Sequence, residues 1–406
     1  MRRNPLTIGL DVGTYKIGVI VAELSADGGA DVVGIGSAAS KGLKKGVVVN
    51  IDATVEAIRQ AVEEAELMAG CEVRSVVVGS AGSHLRGFNS HGVVAVKGRE
   101  VAAGDVERVL DAARAVALPM DREVLHVLAQ EFIVDDQDGI REPVGMAGVR
   151  LEARVHIVTG AIGAGQNLVK CCNRAGLRVR DVLAGPIAAA DAVLTPEERE
   201  LGVALVDLGG GTTDAVVYQG GAIRHTAVLP VGGAHVTKDV AAALRTPFPE
   251  AEHLKQRHGS ALAALTPQEQ TVEVAGLGGR APHHLSRRAL AEVIEPRAEE
   301  VLALVKAELE RAGVAQPLAS GVVLTGGGAV LEHMTALAER VFRLPVRLGV
   351  PLHLNGLVDV VASPMYSTAV GLVLHDLKEG EVRHDGVLGQ LGVVRERMMG
   401  WLREFF

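Results

Sequence analysis

The most informative part of the chain is residues 202–225, GVALVDLGGGTTDAVVYQGGAIRH. One apolar run ends near Asp207, a turn rich in glycine and threonine follows, and a second apolar run begins after Asp214. This pattern predicts a β-hairpin whose turn carries carboxylates and hydroxyl groups. Because glycine has no Cβ, it lets backbone N–H groups converge on an anion. The stretch therefore favours a phosphate-binding loop.

A second copy of this pattern stands near the start of the chain, LTIGLDVGTYKIGVIVAEL at residues 6–24. One such hairpin is weak support, because Asp-Gly turns join strands in many proteins. Two copies predict a duplicated domain with phosphates held between its halves. The predicted contacts are Asp11, Gly13, Thr14, Asp207, Gly209, Gly210, Gly211, Thr212, Thr213 and Asp214. Lys16 either reaches a phosphate or merely caps its strand.

Three of these residues are carboxylates suited to a divalent cation. Mg²⁺ keeps most of its waters in proteins, so a carboxylate at a strand end can hold the hydrated ion. We expect Asp11, Asp207 and Asp214 to contact Mg²⁺ through water.

Two further segments extend the predicted site. Residues 321–342, GVVLTGGGAVLEHMTALAERVF, read as a buried strand, a glycine turn and a helix. Gly326, Gly327 and Gly328 would let a nucleobase or a phosphate approach the backbone. Residues 251–259, AEHLKQRHG, place Glu252 and Lys255 one helical turn apart on one face. Taken alone, that pair is typical of an exposed helical ion pair.

The order of two phosphate loops and an adenosine loop resembles the actin superfamily, which includes sugar kinases and heat-shock chaperones. The resemblance implies an α/β, actin-like (ribonuclease H-like duplicated) ATPase fold with ATP and Mg²⁺ as cofactors. In the chaperones a Glu and a Lys at this spacing hold the ribose and adenine, which implies that role for Glu252 and Lys255. A helix linking the halves of the chaperones also carries a Glu directly before a Pro.

The corresponding stretch here is DVLAGPIAAADAVL, in which Ala184 and Gly185 precede Pro186. Neither residue can orient or deprotonate a water molecule, and phosphoryl transfer to water needs such a group. Asp181 and Asp191 lie close to this stretch in sequence, but nothing in the sequence indicates that either faces the phosphate. We therefore predict no catalytic residue and slow ATP turnover at best. An active ATPase or small-molecule kinase is the enzyme-class alternative.

Residues 83–162 predict a strand, a helix and two strands, which form a compact α+β insertion. With VLPVGGAHVTKDVA (228–241), RALAEVIEPRAEEVL (288–302) and SPMYSTAVGLVLH (363–375), this segment closely resembles the FtsA family of bacterial division proteins over essentially the whole chain. The resemblance implies four subdomains. Their expected bounds are 1–82 with 163–199 and 354–376 for the first nucleotide-binding subdomain, 83–162 for the insertion, 200–240 with 306–353 for the second nucleotide-binding subdomain, and 241–305 for a small outer subdomain.

The end of the chain, LGVVRERMMGWLREFF at residues 391–406, predicts an amphipathic helix after a polar, flexible linker at 377–390. The chain has one Trp, three Tyr and six Phe, and three of these ten aromatics fall in its last six positions. At 100° per residue one face carries Leu391, Val394, Met398, Trp401, Leu402, Phe405 and Phe406. A helix docked on its own domain and a coiled coil are the alternatives. The pattern favours a helix that binds a membrane surface.

The resemblance implies a division protein that polymerises and anchors FtsZ filaments, the Z ring, to the cytoplasmic face of the cell membrane. It implies a site for the FtsZ C-terminal peptide on the outer subdomain, where we expect Arg287, Arg288, Arg297 and Glu300 to take part. Self-association and contacts with other division proteins are implied as well. A pilus-assembly adaptor is an alternative, but it would need no amphipathic tail.

Composition excludes several other classes. The net charge of −8 argues against a nucleic-acid partner, which usually requires a basic surface. Cys71, Cys171 and Cys172 form no disulfide framework, and the adjacent pair is expected to be buried. A redox or ligand pair is the alternative. We find no zinc spacing, no apolar run long enough to span a bilayer, and no export signal, because Asp11 interrupts the first apolar run.

Overall fold

Two sheets form the centre of the computed structural model, which describes residues 6–24, 29–279, 281–313, 318–352 and 354–384. Strands and helices are each numbered in chain order. The first sheet contains β1 (Leu6–Val12), β2 (Lys16–Leu24), β3 (Ala30–Ala39), β6 (Ser75–Ser80), β11 (Arg178–Ala184) and β19 (Leu354–Gly356). The second contains β12 (Val203–Leu208), β13 (Thr213–Gln219), β14 (Ala222–Leu229), β17 (Val322–Thr325) and β18 (Val346–Leu348).

The two sheets share one topology. The first runs β11-β6-β1-β2-β3-β19 and the second β14-β13-β12-β17-β18. Each sheet has three neighbouring antiparallel strands, β1–β2–β3 in the first and β12–β13–β14 in the second. Two parallel strands extend each group on one side, β6 and β11 in the first sheet and β17 and β18 in the second. β19 is an extra strand parallel to β3. β1–β2 and β12–β13 are the two predicted hairpins. The predicted duplication is therefore confirmed.

Helices pack on and between these sheets. They are α1 (Ile51–Ala69), α3 (Ile162–Arg174), α4 (Gly185–Val193), α5 (Pro196–Leu201), α9 (Met334–Phe342), α10 (Val358–Val361) and α11 (Ser367–His384). The crossing of α4 and α11 is tight, because a Cβ on Gly371 would lie 1.7 Å from the carbonyl oxygen of Ala188. One apolar core holds residues of both sheets, such as Ile20 and Val216, so the halves are joined through their interior.

Local sequence explains how α1 forms and where it packs. The Asn50 side chain accepts a hydrogen bond from the Ala53 N–H at 3.1 Å, and Gly70 ends the helix with φ of 61°. Such caps satisfy backbone groups that the helix leaves unpaired. The buried face of α1 lies against β3, where a Cβ on Gly36 would be 1.8 Å from the Ala61 carbonyl oxygen.

The insertion is a four-stranded sheet covered by one helix. Its elements are β7 (Arg86–Ala95), α2 (Ala103–Arg114), β8 (Arg122–Val134), β9 (Gln137–Ile140) and β10 (Arg150–Ala161), with strand order β7-β10-β8-β9. The sequence predicted two strands after the helix, but the structure has three, β8, β9 and β10. β9 has only four residues, Gln-Asp-Gly-Ile, which carry no apolar alternation, and it forms by pairing with β8.

The insertion contacts the second half of the molecule at β14. The contacting residues are called the junction below, and they are Asn89, Gln130, His156, Ile223 and Thr226. His156 lies in β10 with 1% of its surface exposed, and its Nε2 is 2.9 Å from Oγ1 of Thr226. Its Nδ1 is 2.7 Å from Oδ1 of Asn89, and Gln130 donates a hydrogen bond to the Ile223 carbonyl at 2.7 Å. The junction is thus a buried polar contact between two sheets.

The outer part of the second half contains α6 (Gly233–Leu244), α7 (Phe248–His258), β15 (Thr271–Val274), β16 (His283–Ser286) and α8 (Arg287–Arg311). The predicted subdomain boundary at 305/306 divides α8, and the one at 199/200 falls inside α5. α8 continues because residues such as Leu290, Ile294 and Leu302 form one buried face, even with Pro296 inside it. Two short strands, β4 (Leu43–Lys44) and β5 (Val47–Val48), complete the list.

Two predictions about segments can be compared with these bounds. The linker expected at 377–390 begins too early, because α11 continues to His384. The membrane helix expected at 391–406 lies outside the described residues. Among the residues that the structure does describe, no helix is long and apolar enough to cross a membrane.

The expected burial of the adjacent cysteines is confirmed. Cys171 and Cys172 lie in α3 with no exposed surface, in the core that α1 and the first sheet share. Burial raises the pKa of the Cys172 thiol to about 12, so the thiol stays protonated and unreactive at neutral pH.

Candidate functional site

A cavity of about 820 Å³ lies between the two halves. The turns of both hairpins and the glycine turn after β17 line it, and its volume suits a drug-sized ligand or a nucleotide. The predicted site residues that line it are Asp11, Gly13, Thr14, Lys16, Asp207, Gly209, Gly210, Gly211, Thr212, Asp214, Glu252, Lys255, Gly326, Gly327 and Gly328. We call this cavity the cleft.

Among the predicted nucleotide contacts, Thr213 alone is outside the cleft lining. Its side chain has no exposed surface, and its hydroxyl donates a hydrogen bond to the Val231 carbonyl at 2.9 Å. β13 begins at Thr213, so successive side chains alternate between the two faces of the sheet from that point. The prediction for Thr213 is corrected accordingly.

The two hairpin turns touch each other across the cleft. A Cβ on Gly210 would lie 2.8 Å from Cβ of Tyr15, and one on Gly211 would lie 2.6 Å from Oγ1 of Thr14. Glycine is therefore required at these two positions for packing between the turns, in addition to the backbone access that the sequence predicted.

Three carboxylates lie close together in the cleft, where Asp214 is buried and Asp11 and Asp207 are partly buried. Burial raises the pKa of Asp11 to about 6, although Lys16 opposes the shift. Burial and then the charge of Asp11 raise the pKa of Asp207 to about 7. Burial and then Asp207 raise the pKa of Asp214 well above its usual range. Like charges in low dielectric repel, so this arrangement favours a cation nearby.

Hydrogen bonding leaves part of this carboxylate cluster unsatisfied. Oδ2 of Asp207 accepts from the Thr368 hydroxyl at 3.4 Å. Oδ1 of Asp214 is buried and has no hydrogen-bond partner within the described ranges. No set of three His, Cys, Asp or Glu side chains in that same part of the chain is placed to hold a metal ion directly.

Lys16 was predicted either to reach a phosphate or to cap its strand, and it lines the cleft. Its Nζ donates to the Met365 carbonyl at 2.8 Å and lies 3.6 Å from the centre of the Tyr366 ring. Burial lowers the pKa of Lys16 to about 8, while Asp11 opposes the shift. The ammonium is thus held at the cleft surface by a carbonyl and an aromatic face.

Glu252 and Lys255 form an ion pair in the cleft. Lys255 Nζ is 2.8 Å from Oε2 of Glu252, 2.9 Å from the Thr237 hydroxyl and 3.2 Å from the Gly233 carbonyl. Only 15% of the Lys255 side chain and 10% of the Glu252 side chain are exposed. The alternative of a merely exposed helical pair is therefore wrong.

The structure adds cleft residues that we did not predict. They include Tyr15, Gly185, Gly232, Gly233, Gln256, Arg287, Glu332, Met365 and Thr368. Gly232, Gly233, Met365 and Thr368 belong to segments 228–241 and 363–375, whose resemblance to a known family could have marked them. Tyr15, Gly185, Gln256 and Glu332 lie in stretches that the sequence analysis marked, but their residue types did not single them out as contacts. Arg287 lines the cleft through its contact with distant Glu332.

Arg287 was predicted to meet a partner peptide, but it lines the cleft. Its guanidinium pairs with Glu332 and donates to the His258 carbonyl at 2.9 Å, and only 16% of its side chain is exposed. Arg288 donates to the Thr266 carbonyl at 3.2 Å.

The other two predicted peptide-binding residues are paired within the chain. Arg297 lies 2.6 Å from Asp239 and also contacts Glu300. All three arginines therefore already have acceptors, which sequence periodicity does not reveal.

No carboxylate stands where a water-orienting group was sought. Gly185 lines the cleft, and a Cβ there would meet the Ser80 carbonyl at 3.4 Å and the Thr368 methyl at 3.6 Å. Asp191 pairs with Arg199 at 3.0 Å, and neither Asp181 nor Asp191 is part of the cleft lining.

Two sheets of matching topology, with a cleft between them that is lined by glycine turns, define the class of actin-like proteins. Three solved structures share this fold. The PilM-PilN type IV pilus biogenesis complex matches with a TM-score of 0.65 and 16% identity, covering 91% of this chain and 98% of that one. MreB5 of Spiroplasma citri bound to AMPPNP matches with a TM-score of 0.56 at 15% identity, covering 95% and 100%. The MamK double helical filament matches with a TM-score of 0.53 at 15% identity, covering 92% and 99%.

Within that class, the chain belongs to the FtsA family of cell division proteins. The family model for cell division protein FtsA matches residues 204–371, and the model for the SHS2 domain inserted in FtsA matches residues 82–159. FtsA of Pseudomonas aeruginosa is 54% identical over 379 residues, which cover 93% of this chain and 91% of the relative. FtsA of Escherichia coli is 43% identical over 413 residues, which cover 99% and 98%. The likeness to PilM is one of fold alone, so the pilus-adaptor alternative has no support from sequence identity.

Proposed function

We propose that this division protein binds ATP with Mg²⁺ in the cleft and tethers FtsZ filaments to the cell membrane. The observation that carries the first half is the cleft itself. Three glycine turns, three carboxylates and the Glu252–Lys255 pair converge on one cavity of nucleotide size. The solved MreB5 relative holds AMPPNP, which supports a nucleotide as the ligand.

The carboxylates fit a hydrated cation better than a directly bound one. Asp214 Oδ1 is a buried acceptor without a partner among the described residues, and no three ligating side chains converge there. Asp11, Asp207 and Asp214 would hold Mg²⁺ through its water molecules. The ion supplies charge neutralisation for the phosphates.

The remaining cleft residues would each contact a different part of the nucleotide. Glu252 and Lys255 would hold the ribose side, and the turn at Gly326–Gly328 would lie against the base. The hairpin turns would present backbone N–H groups to the phosphates. Lys16 Nζ stands at the same surface and adds positive charge.

A binding experiment tests this assignment. Isothermal titration calorimetry with ATP and Mg²⁺ compares the natural chain with Lys255→Met and, as a matched control, Lys238→Met. Lys238 lies exposed on α6 and does not line the cleft. Charge-assisted hydrogen bonds contribute about 1.5–3 kcal/mol, so Lys255→Met should weaken binding roughly tenfold or more. Equal affinity in all three proteins would remove Lys255 from the site.

We propose further that turnover is slow, because Gly185 offers no side chain to orient a water molecule. The protein then acts as a nucleotide-dependent structural adaptor and not as an ATPase or kinase. A phosphate-release assay at saturating ATP discriminates between these functions. Sustained release at several turnovers per second would favour the enzyme alternative.

The tether rests on family membership and on the sequence of residues 391–406. An amphipathic helix there gives weak, reversible membrane binding, which alignment of many copies in a filament would multiply. MamK, a relative in fold, is a double helical filament, which supports self-association. The site of action is then the cytoplasmic face of the membrane at the division site, with the FtsZ C-terminal peptide and other division proteins as partners.

Liposome flotation tests the membrane half. The full chain and a chain ending at Asp385 are floated with ATP and Mg²⁺. The proposal expects only the full chain to float. If both float, the membrane surface lies elsewhere on the molecule; if neither floats, the tail binds a protein instead.

A further inference from the structure

Tyr15 connects the two sides of the cleft at its solvent edge. It stands in the first hairpin turn, with 48% of its surface exposed. Its hydroxyl accepts a hydrogen bond from Nε2 of Gln256 at 3.2 Å, and Gln256 lies exposed on α7 of the outer part. Both residues line the cleft. The contact therefore crosses the opening between residues 241 positions apart in the chain.

Packing fixes the direction of the Tyr15 side chain. Its Cβ rests on Gly210 of the second hairpin, where a Cβ would be only 2.8 Å away. Nothing larger than glycine fits there, so the start of the side chain has one position between the turns. The ring then extends from this fixed point toward α7.

Gln256 also contacts the Glu252–Lys255 ion pair. Gln256 Nε2 donates both to Tyr15 and to Oε1 of Glu252, the latter at 2.9 Å. Burial, and next the charge of Glu252, raise the pKa of the Tyr15 hydroxyl, so it remains a neutral phenol at pH 7. The first hairpin is thereby linked to the residues assigned above to the ribose.

We propose that Tyr15 and Gln256 form a latch that controls how fast a nucleotide enters and leaves the cleft. This inference rests on the proposed function, since it needs a nucleotide in the cleft. One hydrogen bond between neutral groups is worth little net free energy, so the latch opens readily and limits rates without blocking access. Because it closes the opening equally before entry and before release, it changes both rates and leaves affinity nearly constant.

Two variants remove the latch in different ways. Tyr15→Phe removes only the hydroxyl and keeps the ring on Gly210, while Gln256→Ala removes the donor from α7. His253→Ala is the matched control, because His253 is exposed on the same helix and lies outside the cleft lining. Radiolabelled ATP with Mg²⁺ is bound to the full chain and chased with excess unlabelled ATP, and bound label is counted after rapid filtration.

The latch predicts that Tyr15→Phe and Gln256→Ala each raise the association and dissociation rate constants about threefold to tenfold, and that Tyr15→Phe keeps Kd within about twofold of the natural chain. The double variant should match Gln256→Ala, because that variant already removes the Tyr15–Gln256 contact together with the bond from Gln256 to Glu252. His253→Ala should leave both rate constants unchanged, and thermal unfolding confirms that each variant is folded.

Other outcomes overturn the inference in distinguishable ways. A rise in dissociation alone would make Tyr15 a simple ligand contact, and unchanged rates in both variants would remove its role altogether. An additive double variant would show that the residues act independently. Absence of ATP binding by the natural chain would overturn the proposed nucleotide function, and the latch with it.

Discussion

Acidification from pH 7 to pH 5 should weaken the junction between the insertion and β14, because His156 is buried there in its neutral form. Burial, and next the neighbouring His225, lower the pKa of His156 from 6.5 to about 4. His225 itself lies 3.1 Å from Glu308 of α8, which also pairs with Arg311. Within the junction itself the imidazole forms hydrogen bonds with two neutral groups, Asn89 and Thr226.

The sign follows from proton linkage. Between pH 6.5 and pH 4 the unfolded chain binds a proton at His156 and the folded chain does not, so the free energy of unfolding rises with pH in that window. The stabilising contribution is complete above pH 6.5 and is lost as the pH falls toward 4. With these two pKa values, His156 should account for a loss of about 2 kcal/mol between pH 7 and pH 5.

Urea unfolding followed by circular dichroism at both pH values measures this loss, with His156→Gln as the reference. Glutamine keeps one donor and one acceptor but does not titrate, so the difference between the two proteins isolates the histidine. NMR titration of the imidazole, assigned with the same variant, measures the pKa directly. A pKa near 6.5 in the folded protein, or an equal loss in His156→Gln, would refute the reasoning.

Two further predictions concern packing and thiol chemistry. Gly371→Ala should lower the free energy of unfolding by about 1–3 kcal/mol, because its Cβ would lie 1.7 Å from the Ala188 carbonyl oxygen. Gly104→Ala in α2 meets nothing within 4 Å and should instead raise it by about 0.5–1 kcal/mol, and urea titrations compare the pair. A disulfide reagent at pH 7 should leave Cys171 and Cys172 unmodified in the folded chain and label them in denaturant. Labelling at the rate of an exposed thiol would contradict their burial.

Much of the cleft could be predicted from local sequence. Turn chemistry and strand alternation define Asp11 and Asp207 at the ends of their strands, and helical spacing places Glu252 beside Lys255. These features depend on residues within a few positions of one another. Duplication of the hairpin then indicated two halves, because a repeated local pattern implies a repeated sheet.

The rest depends on contacts between distant segments, which periodicity does not encode. Arg287 begins a helix whose start lies against Glu332, so it lines the cleft instead of presenting its charge to a partner. β9 exists because β8 pairs with it, and its own residues give no strand signal. His156 reads as one more residue of a strand until Thr226 is packed against it.

α8 has a consequence for communication through the molecule. Its 25 residues make a rod roughly 37 Å long. At one end Arg287 pairs with Glu332 at the cleft, and at the other Glu308 holds His225, the neighbour in sequence of Thr226 at the junction. One continuous helix thus touches both regions. By thermodynamic reciprocity, a nucleotide and a ligand on the insertion that favour the same position of α8 would raise each other's affinity by the same factor, and two that favour opposite positions would lower it.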